Sequence, residues 1–147
     1  MRKIYFAGSI RGGREDVGLY LGVIKHLQNY GQVLTEHIAD SGLTSAGETE
    51  LSDNEIYKRD MSWLNESHVV VAEVTRPSLG VGYEIGRIAE RNLRSTGLEK
   101  KPILCLYRSQ VDRRLSAMIS GSEGLVVKEY ENLDGAIKAI DGFFRHI

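Results

Sequence analysis

One cysteine, Cys105, is all the chain has, so no disulfide can form within it. It lies in the apolar run Ile103-Leu104-Cys105-Leu106-Tyr107, where core packing in a reducing compartment is its expected role. No apolar stretch approaches the roughly 18 residues that cross a bilayer, and the N-terminus carries no signal-type apolar segment. These absences point away from the membrane and toward the cytoplasm, with the nucleus also open to a chain of this size. An excess of charge is missing too. Nineteen basic residues face twenty acidic ones, for a formal net charge of -1, which excludes general binding of nucleic-acid polymers through a basic surface. The four histidines (His26, His37, His68, His146) are scattered and no CxxC exists, so no zinc spacing is present. Repeats, low-complexity tracts and linkers are lacking as well.

What remains is an ordinary globular composition, 41% hydrophobic and 27% charged over 147 residues. One domain spanning residues 1–147, large enough for a real core, is expected. Apolar runs suited to buried strands (Lys3 to Ala7, Gln32 to Thr35, Val69 to Val74, Pro102 to Tyr107, Leu125 to Val127) alternate with helical patterns. The helical patterns are Tyr20/Ile24/Leu27, Tyr57/Met61/Leu64, Val81/Ile85/Ile88, Arg113 to Ile119, and Leu133 to Phe144. Strand–helix alternation predicts an α/β three-layer sandwich on a roughly five-stranded parallel sheet, flavodoxin- or Rossmann-like, with right-handed crossovers.

The most informative stretch is Thr75-Arg76-Pro77-Ser78-Leu79-Gly80-Val81-Gly82-Tyr83-Glu84-Ile85-Gly86. It reads as a tight turn from a buried strand into a helix, and in an open parallel sheet such turns border the ligand crevice. Pro77 stops the strand, and Gly80 and Gly82 allow a close backbone approach. Glu84 is expected in the first helical turn, where free N–H groups favour a charged carboxylate. It is either a nucleophile or simply a complement to the helix dipole, and the local residues leave these two readings level.

A second turn, Gly8-Ser9-Ile10-Arg11-Gly12-Gly13-Arg14, follows the first strand. It matches neither a Walker loop nor GxGxxG. Glycine N–H groups, a hydroxyl, two arginines and a following helix start make an anion cradle. A plain glycine turn with solvated arginines is the alternative, and the position after the first strand favours the cradle. Asp60 falls among the apolar positions of the Asp53–Leu64 helix, where a lone carboxylate is costly without a partner or a task. A salt bridge to Arg59 or Lys58, or a helix turned to solvent, would explain it without function. Glu36 to Asp53 is polar and aperiodic, either a loop over a site or a plain connection.

Together, Ile4 to Asp16, Val33-Leu34-Thr35-Glu36-His37, the Asp60 helix, Val70 to Thr75 with Pro77 to Glu84, and Leu115-Ser116-Ala117-Met118-Ile119 carry a family resemblance. The chain resembles the nucleoside 2-deoxyribosyltransferase superfamily, and within it the 2′-deoxynucleoside 5′-phosphate N-hydrolases, over nearly its whole length. The resemblance implies Glu84 as the nucleophile on the anomeric carbon, Asp60 as acid/base partner, and Tyr5 as the hydroxyl that orients Glu84 and the sugar. It implies a 5′-phosphate and sugar pocket from Gly8, Ser9, Ile10, Arg11, Gly12, Gly13, Arg14, Ser78 and Gly80, with Ile10 against the base. Ser116, with Met118 in the same segment, would serve the site of the neighbouring subunit in a homodimer. A covalent 2-deoxyribosyl 5-phosphate enzyme, hydrolysed with retention, then needs no metal or organic cofactor. Opposed environments would separate the carboxylates: Glu84 held ionised at the helix start, Asp60 raised at an apolar edge. The stretch Arg91 to Lys101 is longer than expected of the vertebrate hydrolases, and Glu36 to Asp53 is divergent. Rival implications are a nucleoside transferase without a phosphate site, a ribonucleotide (CMP-type) hydrolase, and a non-catalytic nucleotide sensor. The first would leave the Gly8–Arg14 cradle unused. Tyr5 would crowd the 2′-OH demanded by the second, and the third would keep the phosphate loop but not need both Glu84 and Asp60.

Overall fold

Alternation along β1 (Lys3–Ala7) decides the layout. Ile4 and Phe6 point into one apolar layer, Tyr5 and Ala7 into another, as successive strand residues must. The computed structural model describes residues 1–9, 16–39 and 50–147. Within them α1 (Val17–Leu27), β2 (Gln32–Val33), a 3₁₀ turn (Glu36–Ala39), α2 (Asp53–Glu66), β3 (Val69–Glu73) and α3 (Leu79–Leu93) follow β1. A second 3₁₀ turn (Gly97–Glu99), β4 (Ile103–Tyr107), α4 (Ala117–Ser120), β5 (Val126–Glu129) and α5 (Leu133–Phe144) complete the order.

The five strands form one sheet in the order β2-β1-β3-β4-β5, every pair parallel. β3 and β4 are buried at every position, as strands covered on both faces are. Ile4, Phe6, Val71 and Leu104 pack with Tyr20, Ile24 and Leu27 of α1 and Ile140 and Phe143 of α5. Tyr5, Val70, Ala72 and Cys105 pack with Leu64 of α2 and Val81, Ile85 and Ile88 of α3. Cys105 is the core residue its surroundings suggested, its thiol pushed up to about 12 by burial. From β1 the chain moves outward to β2, then crosses to β3 on the other side. The strand ends of β1 and β3 are therefore the switch point where open α/β sheets bind ligands.

Several boundaries differ from those read in the sequence. The second strand stops at Val33, and the fifth is Val126–Glu129 rather than Leu125 to Val127. Arg113 to Ile119 is not one helix: only Ala117–Ser120 is helical, after a bridge between Gln110 and Arg113. Of the stripe Tyr57/Met61/Leu64 only Leu64 is fully buried, because α2 faces a cavity over much of its length. Arg91 to Lys101 holds the last turn of α3, which runs on to Leu93, and the 3₁₀ turn Gly97–Glu99. Lys101, at the end of that stretch, is buried, 5% exposed. Its ammonium donates to the carbonyls of Leu64 (2.7 Å) and Asn65 (2.6 Å), two orphan acceptors at the end of α2. Burial lowers its pKa to about 8.

Candidate active site

α3 begins at Ser78, whose extended backbone and hydroxyl, accepting from Val81 N at 3.3 Å, make it the N-cap. Glu84 thus sits six residues beyond the cap, in the second turn. The first turn of α3 holds no acidic residue, which corrects the expected placement. Its environment is correspondingly reversed. Burial is the main cause that raises the Glu84 carboxyl to about 7, aided by the charge of Asp60, while the Tyr5 hydroxyl opposes the shift. Tyr5, fully buried on β1, donates to Glu84 Oε1 at 2.9 Å. Burial first, then the charge of Glu84, push the Tyr5 phenol well above its usual range, so it remains a donor.

α2 supplies Asp60. A capping box fixes its start, with Ser52 accepting from Glu55 N and the Glu55 side chain accepting from Ser52 N. Arg59 donates to Asp60 Oδ1 through Nε (2.9 Å) and Nη2 (2.8 Å), so the salt bridge foreseen as the alternative does form. The guanidinium also lies 4.8 Å from the centre of the Trp63 ring, and His37 Nε2 is 3.3 Å from Arg59 Nη2. Pairing does not remove Asp60 from the site. Tyr5, Asp60 and Glu84 all line one cavity of about 580 Å³, a size suited to a small organic ligand. Gly8, Ser78 and Gly80 form part of the same wall. A Cβ on Gly8 would approach the Tyr20 ring to 3.0 Å, so the bare backbone is what fits there.

The other expected site residues divide. Ser9 is buried and off the cavity wall. Its N–H donates to the Tyr20 hydroxyl at 3.1 Å, and its Oγ has no partner among the described residues. Ile10, Arg11, Gly12, Gly13 and Arg14 lie outside the described residues, as does most of the expected loop over the site. Ser116 and Met118 line a second cavity of about 550 Å³, against the flank of α3. The two cavities share Pro77, Ser78, Leu79 and Val81 as a common wall. Met118 is 82% exposed.

Sequence reading missed several wall residues. Thr35 both accepts from Phe6 N (2.8 Å) and donates to Phe6 O (2.6 Å), extending the sheet contact where β2 ends. Tyr57 and Tyr83 meet across the rim, ring centres 6.4 Å apart. By spacing Tyr57 belongs to the apolar stripe of α2, yet it is exposed at the rim, and nothing in its spacing marks that outward turn. Among the described residues no three His, Cys, Asp or Glu side chains converge as metal ligands, and no helix is long and apolar enough to cross a membrane.

This geometry meets known proteins at one point. The family described as nucleoside 2-deoxyribosyltransferase matches residues 4–131. The chain belongs to that family. A 5-hydroxymethyl-dUMP N-hydrolase of Rattus norvegicus is 46% identical over 144 residues, covering 96% of this chain and 83% of the relative. Its namesake from Danio rerio is 52% identical over 119 residues, covering 81% of this chain and 78% of the relative. Among solved structures, a CMP N-glycosidase of Clostridium botulinum aligns with a TM-score of 0.66 at 14% identity, over 97% of this chain and 100% of that one. That likeness carries the fold.

Proposed function

We propose that this protein hydrolyses the N-glycosidic bond of 2′-deoxynucleoside 5′-monophosphates, releasing the nucleobase and 2-deoxyribose 5-phosphate. The observation that carries the reading is the Tyr5–Glu84 hydrogen bond on the wall of a cavity that also holds Asp60. The names of the similar N-hydrolases support the substrate class. Ionised Glu84 attacks the anomeric carbon. The C–N bond breaks, its electron pair leaves with the base, and Asp60, which enters this step in its protonated form, delivers the proton that neutralises the base. Water then attacks the glycosyl ester, giving its proton to Asp60 and freeing the Glu84 carboxylate, with retention at the anomeric centre. No metal or organic cofactor enters these steps.

The 5′-phosphate sits against the Gly8–Arg14 turn, Ser78 and Gly80, where a capped helix start offers N–H groups to an anion. Ile10 packs against the base. Ser116, with Met118, serves the phosphate pocket of a second copy, so the active unit is a homodimer acting in the cytoplasm and open to the nucleus. Two facts support this: Ser116 does not share the Glu84 cavity of its own chain, and Met118 is left exposed beside it.

Incubation with each deoxynucleoside monophosphate, its ribose counterpart and its unphosphorylated nucleoside, with detection of released base, tests the reading. The deoxynucleotides should be the substrates. Equal kcat/KM for nucleoside and nucleotide would return the chain to the transferase reading, and a preference for ribose to the CMP type. Shared sites are tested by mixing Glu84→Ala with Ser116→Glu chains. Each homodimer should be nearly inactive, and verified mixed dimers should regain activity because one site then holds neither change. No recovery would sink the shared site.

A further inference from the structure

The residues flanking positions 10–15 are held by a network that no part of the proposed mechanism uses. On one side Ser9 N donates to the Tyr20 hydroxyl at 3.1 Å. On the other, Asp16 precedes α1; its carbonyl accepts from Tyr20 N at 2.9 Å, and its Oδ1 accepts from Arg108 Nη2 at 2.8 Å. Arg108 follows β4 and ties a second segment through its backbone, donating N–H to Thr75 Oγ1 at 2.9 Å. Thr75 donates its hydroxyl to Glu73 Oε1, which also accepts from Thr75 N (3.2 Å) and from the Tyr130 hydroxyl (3.1 Å). The Arg108 guanidinium lies 5.9 Å from the centre of the Tyr130 ring. One arginine therefore links the start of α1 to the start of the turn that leads to Ser78. Through Tyr20 the first reaches Ser9, next to Gly8, and the second leads to Ser78; Gly8 and Ser78 both line the cavity.

We infer that Arg108, acting through Asp16 and Thr75, is a positioning residue for the 5′-phosphate subsite and sets how strongly the enzyme prefers phosphorylated substrates. The inference rests on the phosphate reading above and assigns a residue to it. Arg108 touches neither the cavity nor Glu84 among the described residues, so its effect reaches the substrate through the placement of the two segments. Misplacing a binding group by about 1 Å can cost about a hundredfold, and Arg108 is tied to the two segments by its backbone and its side chain.

The experiment compares wild type with Arg108→Gln, Arg108→Lys and the near-isosteric Asp16→Asn, which preserves shape should Arg108→Gln fold poorly. Two quantities are read: the ratio of kcat/KM for a deoxynucleotide to that for its nucleoside, and the Kd for 2-deoxyribose 5-phosphate by calorimetry. The ratio should shrink by about ten- to a hundredfold in Arg108→Gln and Asp16→Asn. The change should lie mainly in KM, the sugar phosphate should bind correspondingly more weakly, and Arg108→Lys should recover part of both. The double variant Arg108→Gln/Asp16→Asn should be no worse than the poorer single one. Equal losses on nucleotide and nucleoside, or an unchanged Kd, would overturn the inference and leave Arg108 a structural brace. If wild type shows no preference for the nucleotide, the phosphate reading falls and takes this inference with it. If wild type shows the preference and both variants keep it, this inference alone falls.

Discussion

Glu73 is a buried carboxyl and Glu84 a half-buried one, both near the carboxyl end of the sheet and on opposite faces of it, and desolvation raises the pKa of each. Glu73 is 1% exposed and sealed: one oxygen collects three donors from Thr75 and Tyr130, and the other contacts no donor among the described residues. Glu84 has one hydroxyl donor and opens onto a cavity that Asp60 also faces. A perturbed titration is thus common to a structural and a chemical carboxylate. What separates them is room for a substrate and the presence of a second carboxylate. Glu73 fastens the chain after β3 to Tyr130 at the end of β5, while Glu84 is held by the Tyr5 hydroxyl with its face turned to the cavity.

The largest expected difference is in turnover. Glu84→Ala should lose at least about a thousandfold in kcat, ~4 kcal/mol of barrier, while folding and binding nucleotide. Glu73→Gln, which keeps the shape of the side chain, should stay within about tenfold of wild type. Single-turnover assays on both variants decide it. Comparable losses would end the distinction between the two glutamates.

Their phenolic donors sharpen it further. Tyr5→Phe removes a hydrogen bond to a carboxylate that reacts, and bonds of this charged kind contribute ~1.5–3 kcal/mol. A fall of about ten- to a hundredfold in kcat/KM should follow. Tyr130→Phe takes the equivalent donor from Glu73 and should show far less. A Tyr130→Phe loss as large as that of Tyr5→Phe would place the Glu73 side in the chemistry.

The pH profile carries the next effect. With the Glu84 carboxyl at about 7, its reactive anion is depleted below that pH. Then kcat/KM should fall about tenfold per pH unit on the acid side. The Tyr5 hydroxyl lowers the Glu84 pKa, so Tyr5→Phe should move this limb to higher pH. Glu73→Gln should leave it in place. An acid limb that moves with Glu73→Gln would assign the titration to the wrong carboxyl.

Legibility followed periodicity. The strands that are buried on both faces, β3 and β4, and the strongly patterned α5 were readable to within a residue or two, because burial dictates their composition. Glu84 and Asp60 could be singled out from Ser78-Leu79-Gly80-Val81-Gly82 and from a carboxylate amid apolar positions. Their electrostatics could not. The N-cap at Ser78 places Glu84 one turn deeper than expected, and Tyr5, 79 residues away in sequence, completes its environment. The segment from Arg113 to Ile119 misled because leucine, methionine and isoleucine at helical spacing look alike whether they face a core or a cavity. Arg108, Thr75 and Tyr130 gave no local signal, since their partners come from three different elements.

The smallest effect concerns stability, and it separates the two glutamates by sign and size. Lifting the Glu84 carboxyl from 4.5 to about 7 amounts to about 3 kcal/mol held against its anion. Below roughly pH 4 the group is neutral in both folded and unfolded chains, and burial costs no charge. Between there and about 7 the unfolded chain ionises while the folded one resists. Stability contributed by the neutral form is therefore lost as pH rises, and the loss is complete above about 7. Glutamine cannot ionise, its carbonyl can still accept from Tyr5, and its amide can face water in the cavity. Glu84→Gln should then be more stable than wild type by up to about 3 kcal/mol at pH 8, and equal to it at pH 4. At Glu73 the same change replaces a carboxylate gripped by three donors with a weaker acceptor, and sets an amide where an oxygen already lacks a partner. An unmatched buried amide costs ~1–3 kcal/mol, which offsets the relief of charge. Urea denaturation of both variants at pH 4 and pH 8 reads the contrast directly. A Glu84→Gln gain that is absent at pH 8, or as large at pH 4, would mean that the glutamate is not held against ionisation. Its preparation for attack would then rest on geometry alone.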